Sequence, residues 1–154
     1  MVLTASTSLL LVANAGVFAD ELFLDPQEVD RANFRKAEQA LKNRQYNKYY
    51  TILRELDDYI LKNYLVYSYL SKRIAITPDV VLQQFIDDNK HTPLSIKLRE
   101  KWLHYLANKK KMDTFIAVYD DSTRSKKLKC YRLKYLIKNS YEQASLMAEV
   151  EELW

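Results

Sequence analysis

The stretch Leu61-Lys62-Asn63-Tyr64-Leu65-Val66-Tyr67-Ser68-Tyr69-Leu70-Ser71-Lys72-Arg73 decides the fold. Tyr64, Leu65, Val66, Tyr67, Tyr69 and Leu70 are residue types that populate β-strands, and a strand here would make the chain a mixed domain. A strand needs a second strand to pair with and a turn that brings the two together. The 154-residue chain holds one glycine, Gly16, so residues 17–154 offer none to the positive-φ turns of tight hairpins. With no glycine turn and no pairing partner in view, Leu61–Arg73 reads as a short buried helix.

The same shortage excludes whole classes of function. Average usage of about 7 % would give roughly ten glycines. A Gly-rich phosphate loop, a dinucleotide fingerprint and an EF-hand loop all need glycine where backbone meets a ligand.

Working outward, capping residues mark further helices. Asp25-Pro26-Gln27-Glu28 supplies an N-cap, a proline at the first helical position and a glutamate in the first turn. The helix behind it presents Val29, Ala32, Phe34, Ala37, Ala40 and Leu41 and ends near Asn43; a second starts about Tyr46. Thr77-Pro78-Asp79 and Thr92-Pro93-Leu94 open two more, with stripes Val80, Val81, Phe85, Ile86 and Ile96, Leu98, Trp102, Leu103, Tyr105, Leu106. Helices over about Met112–Asp120 and Lys126–Lys138 follow, and Ser140-Tyr141-Glu142-Gln143 opens the last as a capping box. Pairs begin near Pro26, Leu65, Pro93 and Lys126, about 30–40 residues apart. The expected fold is all-α: stacked αα-hairpins forming part of an α-superhelix, or solenoid.

The formal charge of +4 is unevenly placed. Residues 1–19 are uncharged, 20–96 carry 11 basic and 12 acidic side chains, 97–138 carry 13 and 4, and 139–154 carry four glutamates. The basic block is a candidate surface for an acidic protein or polymer, with Lys109, Lys110, Lys111, Lys126, Lys127 and Lys129 as candidate polyanion-binding residues. A solvated helical face is the plainer reading of the same charges. Nucleic acid would suit such a cluster, but export would remove that partner.

Export is the expectation for residues 1–19. An apolar run, Leu9-Leu10-Leu11-Val12-Ala13, precedes small residues and a cleavage site at Val17-Phe18-Ala19 before Asp20. The segment lacks the basic residues of a typical leader, and a core-packed or disordered N-terminus is the alternative. The run falls short of the roughly 20 residues of a stable membrane anchor. Residues 20–154 are then the helical domain.

Reactive chemistry is hard to find. Glu38, Glu55, Glu100 and Glu142 lie in polar helical surroundings rather than in a pocket that would perturb a general acid. His91 and His104 stand thirteen apart with no carboxylate pattern between them, so neither metal nor other cofactor is expected. Cys130, the sole cysteine, sits among Leu128, Tyr131 and Leu133 and reads as a buried structural thiol. Twelve tyrosines at helical spacing read as packing with a wet hydroxyl, with sugar or base stacking as the rival.

From Phe34 to Trp154 the chain resembles the N-terminal superhelical (U-shaped) domain of soluble lytic murein transglycosylases. The matching stretches, in order, are Ala40–Gln45, Tyr64–Leu70, Val81–Asn89, Leu98–Ala107, Cys130-Tyr131-Arg132-Leu133 and Glu151-Glu152-Leu153-Trp154. The resemblance implies a periplasmic protein acting on the glycan strands of peptidoglycan. In that family one glutamate of a lysozyme-like, glycine-containing C-terminal domain acts as acid and base and leaves a 1,6-anhydromuramoyl end. No residue of this chain matches that glutamate, so the resemblance implies a scaffold piece, inactive without its missing helical and catalytic domains. It also implies an unpaired Cys130. A free-standing helical-repeat adaptor using the basic 97–138 surface is the alternative.

Overall fold

A computed structural model describes residues 25–139 and 143–153. The stretch expected to be a leader, the start of the expected capping box at Ser140 and Trp154 lie outside them. Among the described residues there are eight helices and no strand: α1 (Pro26–Lys42), α2 (Tyr46–Glu55), α3 (Lys62–Arg73), α4 (Asp79–Asp88), α5 (Pro93–Asn108), α6 (Met112–Val118), α7 (Lys126–Lys138) and α8 (Gln143–Leu153). The deciding stretch is helical, with Leu65 and Leu70 buried.

Local chemistry sets most helix starts. The Asp25 carboxylate accepts the Gln27 N–H at 3.1 Å, and Pro26 occupies a position whose N–H would have no partner anyway. Thr92 and Ser125 cap α5 and α7 in the same way, accepting the Ser95 and Leu128 N–H groups. Thr77 does not cap α4: its hydroxyl donates back to the Arg73 carbonyl at 2.9 Å, and Pro78 takes the cap position.

The helices form two layers. α1, α3, α5 and α7 pack in sequence as one row, while α2 rests on α1, α4 and α6 on α5, and α8 on α7. The expected pair starting near Leu65 is therefore looser than drawn from the sequence, because α4 rests mainly on α5 rather than on α3. The α5-centred core is the largest, built on Leu82, Phe85, Ile86, Leu98, Trp102, Leu103, Leu106 and Phe115. A second joins Ala37, Ala40, Leu41, Tyr49, Ile52, Leu56 and Leu65 across α1–α3. Tyr69 packs against both.

Turn chemistry explains which pairs close. After α1 the Gln45 N–H reaches the Ala40 carbonyl at 2.8 Å and the Arg44 N–H reaches Leu41; after α5 the Lys111 and Lys110 N–H groups reach Leu106 and Ala107 in the same pattern. This is the Schellman closure, which needs a left-handed residue just past the cap. With glycine missing, Arg44 (φ 58°) and Lys110 (φ 58°) take that conformation. The Ile74–Pro78 connection has no left-handed residue.

Two stripes differ from expectation. Leu82 rather than Val80 and Val81 enters the core; the valines are 72 % and 44 % exposed. Val29 and Ala32 are also exposed, so α1 contributes Ala37, Ala40 and Leu41 to the core.

Candidate functional site

The six lysines singled out from the sequence lie at two places in the fold. Lys109, Lys110 and Lys111 make the α5–α6 turn, with Lys109 as the α5 cap and Lys111 as the α6 cap. Cations belong there, because the carbonyl end of a helix is its negative pole. Lys126, Lys127 and Lys129 open α7. At 1.5 Å per residue, the far end of that helix lies roughly 18 Å from Lys126.

Helix geometry splits the second group as well. Residues three apart share a face, whereas the next residue is turned by about 100°. Lys126, Lys129 and Arg132 follow the first rule and line a cleft of about 410 Å³ with Arg124, Tyr119, Asp121 and Glu149. Lys127 points elsewhere and stands 5.9 Å from the Tyr131 ring centre. Tyr131, Lys134 and Lys138 continue that other face towards Lys110 in a second depression of about 700 Å³. Arg124 and Arg132 were absent from the sequence-based set, although the 129/132 spacing carries the signal for Arg132.

The basic cleft has a defined wall. Arg132 pairs with Glu149 at 2.6 Å, tying α7 to α8, and its guanidinium lies 5.2 Å from the Tyr119 ring centre. Burial raises the Tyr119 hydroxyl pKa, against the opposing influence of Arg132. Behind this wall Arg99 pairs with Asp120 at 3.0 Å, and the Arg124 N–H donates to Glu100 at 3.2 Å. The Ser122 hydroxyl and N–H both donate to Asp120 and hold its pKa below the ordinary value, with Arg99 adding to the effect.

A different cleft, of about 480 Å³, opens where α4 leaves α3. Tyr49, Tyr50, Leu53, Tyr69, Val80 and Val81 are among its lining residues. Tyr49 and Tyr69 stack at 5.5 Å, Tyr50 meets both edge-on, and Arg73 covers Tyr46 at 4.4 Å. Burial pushes the Tyr49 hydroxyl up. Burial and a hydrogen bond to Tyr69 push Tyr50 up to about 12. These tyrosines pack chiefly on one another, in keeping with the packing reading.

Cys130 is corrected by the structure: it is free and exposed. Its apolar neighbour Leu128 is buried, but a residue two positions on is turned by about 200° and faces away. Among the described residues no group of His, Cys, Asp and Glu is arranged to hold a metal, and no helix is long and apolar enough to cross a membrane.

The two-layer array defines the chain as an α-solenoid segment. Solved structures that share it include the 70-kDa soluble lytic transglycosylase Slt70 from Escherichia coli, with a TM-score of 0.73 and 21 % identity, covering 84 % of this chain. The 70-kDa soluble lytic transglycosylase in complex with bulgecin A gives 0.72 and 21 % over the same share. The chain spans 21 % of the length of each. The resemblance drawn from the sequence thus holds at the level of the fold. No family model matches the chain, and no curated protein matches it in sequence.

Proposed function

We propose that the chain is a helical scaffold segment of a periplasmic soluble lytic transglycosylase, supporting cleavage of peptidoglycan glycan strands without performing it. The observation that carries this reading is the solenoid shared with the 70-kDa soluble lytic transglycosylase over 84 % of the chain. The cleft carboxylates add support, since several are committed to neighbours. Asp88 accepts from Gln84 at 2.7 Å, Asp113 from the Tyr135 hydroxyl at 2.5 Å, and Glu149 pairs with Arg132. A general acid for glycan cleavage must instead deliver its proton to the leaving oxygen.

Purified chain incubated with cell-wall sacculi is expected to release no soluble muropeptides; release with 1,6-anhydromuramoyl ends would overturn the scaffold role. Bacterial expression is expected to yield a periplasmic product beginning at Asp20, read by N-terminal sequencing. An unprocessed cytoplasmic product would overturn the exported assignment.

The charge of residues 97–138 favours a second reading, a free-standing adaptor binding an acidic protein or cell-wall polymer. Binding to sacculi that weakens as salt rises supports it, and salt-independent binding counts against it.

A further inference from the structure

The two lysine groups differ in what the fold asks of them. Lys109 and Lys110 close a helix end and complement its negative pole, so stability accounts for them, and Lys111, at the start of α6, has the acidic Asp113 in the same first turn. The first turn of α7 is the opposite case. It holds no acidic residue, and Lys126, Lys127 and Lys129 stand at the positive pole of their own helix, where cations are unfavourable. Departures from local stability rules concentrate where a protein binds something.

Among the described residues these charges are only partly compensated. Four cations, Arg124, Lys126, Lys129 and Arg132, line the cleft against two carboxylates, Asp121 and Glu149. Glu149 is taken by Arg132, and Asp120 close by is taken by Arg99. Among the described residues the side chains of Arg124, Lys126 and Lys129 have no ion-pair partner within 4 Å. Arg132 is held in place by Glu149 on one side and the Tyr119 ring on the other.

We propose that the cleft between the α6–α7 connection, α7 and α8 binds two neighbouring monoanionic groups, carboxylates or phosphates, of an acidic polymer through Arg124, Lys126 and Lys129, with Arg132 as the fixed wall. Among the described lining residues the excess of two positive charges matches two such groups. A bound anion also meets the positive pole of α7. The inference rests on the adaptor reading and narrows it from the whole 97–138 surface to one cleft; it does not depend on the scaffold role.

The test is titration of the full chain with fluorescent poly-L-glutamate in one arm and inorganic polyphosphate in the other, at low salt. Lys126→Gln with Lys129→Gln is expected to weaken binding at least about tenfold, and Lys109→Gln with Lys111→Gln less than about twofold. Arg124→Gln, at an exposed side chain with no ion-pair partner among the described residues, is expected to weaken it about threefold to tenfold. The arm that responds to these residues identifies the group as carboxylate or phosphate. Equal weakening by both lysine pairs would overturn the cleft while leaving a diffuse basic adaptor surface. No binding of the unaltered chain to either polymer would overturn both.

Discussion

Two successive helix pairs, α3/α4 and α5/α6, start from similar sequence ingredients and end differently. The α5/α6 pair is folded back by a Schellman turn through Lys110, and its helices pack on one another. The α3/α4 pair is joined by Ile74–Pro78, where Pro78 enforces an extended entry and no residue adopts a left-handed conformation. α4 therefore leans onto α5, leaving an aromatic cleft behind it. Among the described connections, those of α1/α2, α4/α5 and α5/α6 each hold a left-handed residue past the first helix and their helices pack closely, whereas α3/α4 has neither.

If α4 is held by α5, its anchors are Leu82, Phe85 and Ile86, all in the α5-centred core. Phe85→Ala should have the largest effect, costing about 3–5 kcal/mol in urea unfolding. A cost below about 1 kcal/mol would mean that α4 is held from the other side.

Alkaline pH should act next, and on the α2–α3 wall. Tyr50 ionises at about 12 in the folded chain, against about 10 when unfolded. A raised folded value means that the protonated form is favoured on folding. Its stabilisation is complete below about pH 10 and is lost as pH rises towards 12. Tyr49 shifts in the same direction, chiefly through burial. Thermal unfolding followed from pH 9 to 12 should show a falling midpoint, reduced in Tyr50→Phe. An unchanged slope in that variant would break the assignment.

Glycine separates the two connections more finely. Lys110→Gly relieves a left-handed non-glycine residue and should stabilise by up to about 1 kcal/mol. Ile76→Gly, outside any such conformation, should destabilise by a similar or smaller amount through added freedom of the unfolded chain. The same sign for both would remove the distinction between the turns. The smallest effect should come from Val80→Ser with Val81→Ser, within about 0.5 kcal/mol, because these side chains face the open cleft rather than the α5 core.

Much of the fold was legible because its signals are local. Asp25-Pro26 and Thr92-Pro93 act on N–H groups two or three residues away, and α7 runs over the expected Lys126–Lys138. The α4 stripe was misplaced because apolar residues at 80, 81, 82, 85 and 86 fit two overlapping faces, and only the position of α5 selects between them. The Schellman turns passed unseen because the usual signal is glycine, while this chain uses Arg44 and Lys110. The six candidate lysines are divided over different faces for a related reason. Lys126, Lys127 and Lys129 are neighbours in sequence but not on one helix face, and Arg124 comes from the preceding connection. Cys130 was misjudged the same way, from neighbours adjacent along the chain rather than around the helix.

The gap behind α4 also has a mechanical meaning. A solenoid of evenly closed pairs spreads bending along its whole length, since each layer is coupled to the next through both of its rows. The outer helices α2 and α4 do not pack closely on each other, and the array there is continuous through α1, α3 and α5. Curvature can change at that joint by opening or narrowing a cleft lined by Tyr50, Val80 and Val81, without breaking a helix or unpacking Trp102. Drawing α2 and α4 together there would cover the exposed Val80 and Val81 and leave the buried α5 core as it is.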